Sequence, residues 1–136
     1  MNLSKIIAVS GLPGLYSLVS TKSNGLIVSD IDSGKSKFCS VREHQFTPME
    51  TVAIYTEMDT VAIEDVFRSI LKNLDSKPSP NASHTELKSY FEIIIPDYDR
   101  DRVFHSDMKK VIKWFNFLYE RGLLTDEVES PKDEEE

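Results

Sequence analysis

Residues 15 to 29 read Leu15-Tyr16-Ser17-Leu18-Val19-Ser20-Thr21-Lys22-Ser23-Asn24-Gly25-Leu26-Ile27-Val28-Ser29, and this stretch decides the first half of the fold. Leu15 to Ser20 alternates apolar and polar residues, as a strand with one buried face does. Asn24-Gly25 is the strongest short hairpin signal, because both central positions of a type I′ turn need positive φ and these two residues tolerate it. Leu26 to Ser29 then reads as the return strand. Outward from the hairpin, Gly11-Leu12-Pro13-Gly14 is a turn on one side and Asp32-Ser33-Gly34 a turn on the other. Lys37-Phe38-Cys39-Ser40 follows as a third strand and Phe46-Thr47-Pro48 as an irregular connection. Thr51-Val52-Ala53-Ile54-Tyr55 is the last run rich in β-branched residues. Four short strands joined by tight turns predict a small curled antiparallel sheet. An SH3-like β-barrel is the expected closure, since it hides edges that would recruit other chains.

The second half carries a helical period. Ile63, Val66, Phe67, Ile70, Leu71 and Leu74 fall on one face of a helix. Residues 76–83, with Pro78 and Pro80, read as a linker. Ser83-His84-Thr85-Glu86 is a capping box, in which the Ser hydroxyl and the Glu carboxylate satisfy free N–H groups at a helix start. The helix it opens buries Leu87, Tyr90, Phe91 and Ile94, and Pro96 ends it. Ser106-Asp107 is the expected cap of a third helix with Met108, Val111, Ile112, Phe115, Leu118 and Tyr119 on its apolar face. Gly122 stands where a left-handed residue stops a helix. The expected class is therefore α+β: an SH3-like β lobe over residues 1–59, a helix over 60–75 packed on it, the linker, and a helical lobe over 84–124. Because strands come first and helices after, two lobes are expected rather than an alternating parallel sheet.

Composition places the chain among ordinary soluble proteins, with 40% hydrophobic and 29% charged residues. No apolar run approaches the length of a membrane span. The apolar patch after Lys5 is too short for a signal-peptide core, which predicts a cytoplasmic protein. Cys39 is the lone cysteine, so an intrachain disulfide and a thiolate cluster are excluded and a buried filler role is expected. The net charge is −7. Residues 125–136 hold seven acids against Lys132 and read as a disordered acidic tail, leaving a body of −1. Such a body exerts no bulk attraction on nucleic acid or anionic membrane.

Tests for chemistry fail one after another. Asp97, Asp99 and Asp101 open like a calcium loop, but Arg102 stands where its glycine belongs and Met108 where its glutamate belongs. His44, His84 and His105 lie in three segments, with no spacing that puts two on one face. No serine sits in a nucleophile elbow, and Gly11 to Gly14 is too short for a phosphate loop. No catalytic residue, metal or cofactor is expected. What survives is a surface. Trp114 and Phe117 lie off the apolar stripe of the last helix, and Arg100, Arg102, Lys109, Lys110 and Lys113 gather near its start. Residues 83–124 nonetheless hold seven acids and seven bases, so the region is neutral.

The strings Val9 to Tyr16, Asn24 to Val28, Val52 to Glu57, Glu86 to Phe91 and Pro96 to Val103 resemble an uncharacterised family of short proteins from Bacteroidetes-type bacteria. The likeness covers roughly residues 1–124 and omits the acidic tail. It implies a bacterial cytosolic setting and carries over no site. The expected function is a non-enzymatic interaction module that binds another protein, or a second copy of itself, through Trp114, Phe117, Lys110, Lys113, Arg100 and Arg102. The alternative is an RNA- or ribosome-associated protein using the β lobe and the basic face of the last helix.

Overall fold

The structure is a computed structural model and describes residues 2–124. The acidic tail lies outside the described residues. The described chain divides into two units, Leu3–Val52 and the part from Ala53 onward with Asn2. The sheet unit holds β1 (Ile6–Val9), β2 (Tyr16–Lys22), β3 (Gly25–Asp30), β4 (Ser36–Ser40) and β5 (Phe46–Pro48). They pair antiparallel in the order β4-β3-β2-β1-β5. This is an α+β protein, as expected, but the sheet is not closed into a barrel: β4 and β5 are its edges.

Ile7, Val9, Tyr16, Val28 and Cys39 form the apolar centre of this unit, with Leu12, Leu26 and Phe46 packed against it. Each fully buried side chain of this size contributes roughly 1.5–3 kcal/mol. Cys39 takes the filler role expected of it and is buried. Two strands go beyond the expectation. β1 forms in the N-terminal apolar patch, and Phe46 to Pro48, expected to be irregular, pairs with β1 as an edge strand. Pro48 fits there because an edge position needs no N–H on its outer side.

The hairpin falls where Asn24-Gly25 places it, but for a different reason. Lys22 pairs with Gly25, so Ser23 and Asn24 form the loop and Gly25 is the first residue of β3. Gly25 is not among the glycines at positive φ, which are Gly11, Gly14, Gly34 and Gly122. What Gly25 supplies is room: a Cβ there would lie 2.2 Å from the Cys39 carbonyl oxygen and 2.8 Å from the Phe38 ring. A bulge between Leu18 and Ser20 leaves Val19 unpaired and exposed.

In the second unit β6 (Ala53–Tyr55) and β7 (Thr60–Ala62) form a separate hairpin. The last β-branched run therefore leaves the sheet of the first unit. It folds back on itself because Thr56 closes a tight turn, its N–H donating to the Asp59 carbonyl and its Oγ1 accepting from the Asp59 N–H. Three helices follow: α1 (Ile63–Leu71), α2 (His84–Ile94) and α3 (His105–Glu120). α1 packs against the hairpin and α2. Its buried stripe is Ile63, Val66, Phe67 and Ile70. α2 buries Leu87, Tyr90, Phe91 and Ile94, and α3 buries Met108, Val111, Ile112, Phe115 and Leu118. Phe67 meets Phe115 across these stripes at 5.9 Å.

The ends of the helices follow their sequence signals closely. Ser83 and Glu86 complete the capping box of α2. At α3 the cap lies two residues earlier than Ser106. The Asp107 carboxylate accepts from the N–H of Phe104, which makes Phe104 the cap. Gly122, at φ +70°, closes α3 in a Schellman turn with Leu123 N–H on the Leu118 carbonyl and Gly122 N–H on the Tyr119 carbonyl. Tyr119, expected on the buried face, is 45% exposed but stacks on Phe115 at 5.4 Å.

The space needed at Gly25 gives a direct test. Gly25→Ala should destabilise the protein by about 3 kcal/mol through forced displacement of β4. Gly34→Ala, where nothing lies within 4 Å, should cost only its left-handed backbone, about 1–2 kcal/mol. Urea midpoints at unchanged slope measure both, and equal losses would remove the steric account of Gly25.

Candidate functional site

The acidic and basic motif Pro96 to Val103 is a clasp on β6. The Asp99 N–H donates to the Tyr55 carbonyl and the Glu57 N–H to the Asp97 carbonyl, both at 2.9 Å. A bridge pairs Thr56 with Tyr98. The crossover between α2 and α3 is thereby laid along the hairpin as a partial third strand. Its arginines are engaged within it. Arg100 lies over the Tyr98 ring at 4.2 Å, donates to the carbonyls of Pro96 (3.1 Å) and Tyr98 (2.5 Å), and stands 3.6 Å from the Glu92 carboxylate. Arg102 donates from Nε to Asp99 Oδ2 at 2.8 Å and covers the Tyr55 ring at 4.3 Å. The hydrogen bond from Arg102, with that from the Asp101 N–H, holds the Asp99 carboxyl below its ordinary value. Burial raises the Tyr98 phenol, partly opposed by Arg100. Asp99 thus serves this local frame through its carboxylate, and Asp97 and Asp101 through their backbone groups; among the described residues no group of three or more His, Cys, Asp or Glu side chains gathers as a metal site.

The other candidates stand along α3. Lys110, Trp114, Phe117 and Arg121 recur at three- and four-residue steps, with Lys113 beside them, so they share one flank. At 100° per residue this flank lies roughly 140° from the buried stripe. Lys110 and Lys113 are exposed, while Trp114 and Phe117 are half-buried. The Arg121 guanidinium sits 3.7 Å from the Phe117 ring centre and donates to the Phe117 carbonyl at 3.0 Å. The structure therefore keeps Lys110, Lys113, Trp114 and Phe117 on one surface. It places Arg100 and Arg102 in the clasp.

A third feature escapes sequence reading. His84 opens α2 and His105 opens α3, and their rings stack at 5.0 Å with 20° between planes. Beside them is a cavity of about 130 Å³ lined by His84, Lys88, Tyr98, Arg100, Val103, Phe104, His105 and Met108. The Nε2 of His105 is buried and has no hydrogen-bond partner. Phe104 stands at the cavity and is 61% exposed. The three histidines lie in separate segments, as the sequence shows, yet two of them meet. No spacing along one element could show the pair, since two helix starts 21 residues apart bring it together. In sequence only His84 carries a signal, as the residue directly after the capping Ser83, whereas His105 precedes the cap expected at Ser106-Asp107 and follows the cap Phe104 only in the structure. His44, in the sheet unit, is separately used, with its Nδ1–H donating to the Ser10 carbonyl at 2.7 Å.

An open groove of about 460 Å³ lies along the outer side of α2, bordered by Asp75, Lys77, Pro78, Glu86, Tyr90 and Ile93. Its ionisable groups are of both signs. The Tyr90 hydroxyl is committed to the Asn73 carbonyl at 2.9 Å, and burial pushes its pKa up to about 12. No helix among the described residues is long and apolar enough to cross a membrane.

Residues 3–49 match the model of a domain of unknown function, DUF5606, and residues 52–118 match that of a second, DUF6852. The junction between the two matches falls beside the boundary between the two structural units, at Val52 and Ala53. No curated protein matches the chain. A solution NMR structure from Bacteroides vulgatus, a structural-genomics target, is similar at 36% identity and a TM-score of 0.74, covering 96% of this chain and 94% of that one. Both matched domains are of unknown function, so no activity comes with the likeness.

The clasp makes a prediction about charge. A carboxyl with a depressed pKa contributes stability above its ordinary titration range and loses it as pH falls through the folded-state value. In Arg102→Ala the main cause of the Asp99 depression is gone, so its titration midpoint should move upward toward the ordinary aspartate value. Carboxyl ¹³C NMR through an acid titration reads this shift directly, and an unmoved midpoint would show that the Arg102–Asp99 bond does not hold the carboxylate in solution.

Proposed function

The chain belongs to an uncharacterised family of Bacteroidetes-type bacteria, and from that premise we propose that it is a non-enzymatic protein-interaction module whose contact surface is the flank of α3. The observation that carries this reading is the composition of the flank. Two aromatic side chains, Trp114 and Phe117, are only half covered and are bordered by exposed Lys110 and Lys113 and by Arg121. Aromatic anchors with a charged margin are what interface hot spots are made of. Further apolar side chains stand in solvent in the same unit, Met58 at 92% and Phe104, Ile93 and Tyr55 to lesser degrees. In this reading the five-stranded antiparallel sheet of the first unit is an opened SH3-like scaffold, by analogy of fold alone. The cytoplasmic setting belongs to the same proposal.

A second reading, an RNA- or ribosome-associated protein, is favoured by one feature: Lys110 and Lys113 take part in none of the ion pairs of the described residues. Positive charge beside aromatic rings can track a phosphate backbone and stack bases.

One experiment separates the two. A photo-crosslinking amino acid in place of Lys113, in the full chain in its native cells, should give discrete protein adducts. The same probe in place of Lys35, in the turn between β3 and β4, should not. Absence of adducts, or the same adducts from both positions, would overturn the interaction reading. Adducts that vanish on ribonuclease treatment would transfer it to RNA.

A further inference from the structure

We infer that the cavity between the starts of α2 and α3 binds a compact oxyanion, a carboxylate or a phosphate, carried on an apolar group. The inference stands apart from the α3 flank and does not depend on it. Four groups able to carry positive charge, Lys88, Arg100, His84 and His105, line a space of about 130 Å³, and among the described residues no carboxylate lines it. The volume suits a few heavy atoms, since a water occupies about 30 Å³. Acids close in sequence are turned to other tasks: Glu86 accepts from the Ser83 N–H, Asp107 accepts from the Phe104 N–H, and Glu92 stands 3.6 Å from the Arg100 guanidinium without lining the cavity. A partly enclosed site lined by one sign of charge concentrates the opposite sign, because low-dielectric walls focus the field.

His105 supplies the second argument. Its buried Nε2 lacks any partner among the described residues. Buried polar groups are rarely left so, because an unmade hydrogen bond inside a protein costs on the order of 1–3 kcal/mol. An oxyanion oxygen would accept from this nitrogen as an N–H donor, while Lys88 and Arg100 would supply charge-assisted partners of the kind that bind carboxylate and phosphate most strongly. The remaining lining is apolar or aromatic: Tyr98, Met108, Val103 and the exposed ring of Phe104. Few polar groups converging in an apolar pocket is the usual make-up of a small-ligand site. The apolar wall gives the reason for expecting an organic oxyanion over a bare one.

The chain's three histidines allow a test with its own control. Imidazole ¹H–¹³C spectra of the full chain are recorded while phosphate and phenyl phosphate, or acetate and phenylacetate, are added at constant ionic strength. The His84 and His105 signals should shift and saturate, while His44 in the sheet unit stays still. Saturation in either series supports the site, and the tighter series names the oxyanion. Phenyl-bearing ligands should bind several-fold tighter than the bare ions. Lys88→Glu, an exposed change on α2, should weaken binding at least tenfold, and His105→Asn should weaken it while leaving the His44 signal in place. The proposal is overturned if all three histidines drift in parallel without saturation up to about 50 mM, or if Lys88→Glu binds as tightly as the original chain.

Discussion

Two backbone hydrogen bonds, Asp99 to Tyr55 and Glu57 to Asp97, are the constraint on which the helical unit depends. β6 and β7 have three residues each, and a lone two-stranded hairpin of that size is marginal in water. Laying Asp97 to Asp99 along β6 gives the hairpin a third neighbour and covers an exposed strand edge. The same contact fixes the crossover from α2 to α3, and hence where α3 begins. Tyr98, pinned by its bridge to Thr56, meets Phe91 of α2 edge-on at 6.3 Å and is almost wholly buried. The stacking of His84 on His105, and the cavity beside them, follow from this one tether, since it sets how the start of α3 returns to the start of α2.

The arginines of the clasp show how a charged motif can be spent on architecture. Arg100 and Arg102 each cover a tyrosine ring and each hold an acid or a row of carbonyls in place. A guanidinium suits this because its planar fork can stack and donate at once, which an ammonium cannot do. Exposed ion pairs of this kind add little individually, about 0–1 kcal/mol. Their value here is geometric, in holding a loop without regular secondary structure to one path between two helices.

How much of this was legible in the sequence follows the range of the interaction. α1, α2 and α3 are readable because a stripe such as Ile63, Val66, Phe67 and Ile70 is a local pattern, and the Ser83–Glu86 box and Gly122 mark ends by chemistry confined to one turn. The strands flanking Asn24-Gly25 are readable for the same reason. β1 and β5 are not, because Ile6 to Val9 and Phe46 to Pro48 are too short to show a period, and they pair with each other across 36 intervening residues, β1 lying between β5 and β2. Gly25 is a mixed case. The residue signals a hairpin, yet the need for it comes from Cys39 and Phe38 on the neighbouring strand, which no local rule contains. Of the candidate site, the flank of α3 is visible as a departure from one helix's stripe. The histidine pair and its cavity belong wholly to tertiary contact.

The same distinction changes the meaning of the charge count. Residues 83–124 are neutral by composition, which argues against any anion-attracting surface. In the folded chain four of the seven acids are engaged at caps and clasp: Glu86 and Asp107 satisfy helix-start N–H groups, Asp99 holds Arg102 and the Asp101 N–H, and Glu92 meets Arg100. A carboxylate that accepts two backbone or guanidinium hydrogen bonds projects less of its charge outward than one in open solvent. Lys88, Lys110 and Lys113 take part in no comparable pairing among the described residues. Neutral composition therefore folds into an uneven surface, with four acids engaged at caps and clasp while Lys88, Lys110 and Lys113 stand exposed on α2 and α3. Exposed lysines without ion-pair partners among the described residues, beside half-covered aromatic rings, are a product of where the acids are engaged, and a count of residues along the chain averages them away.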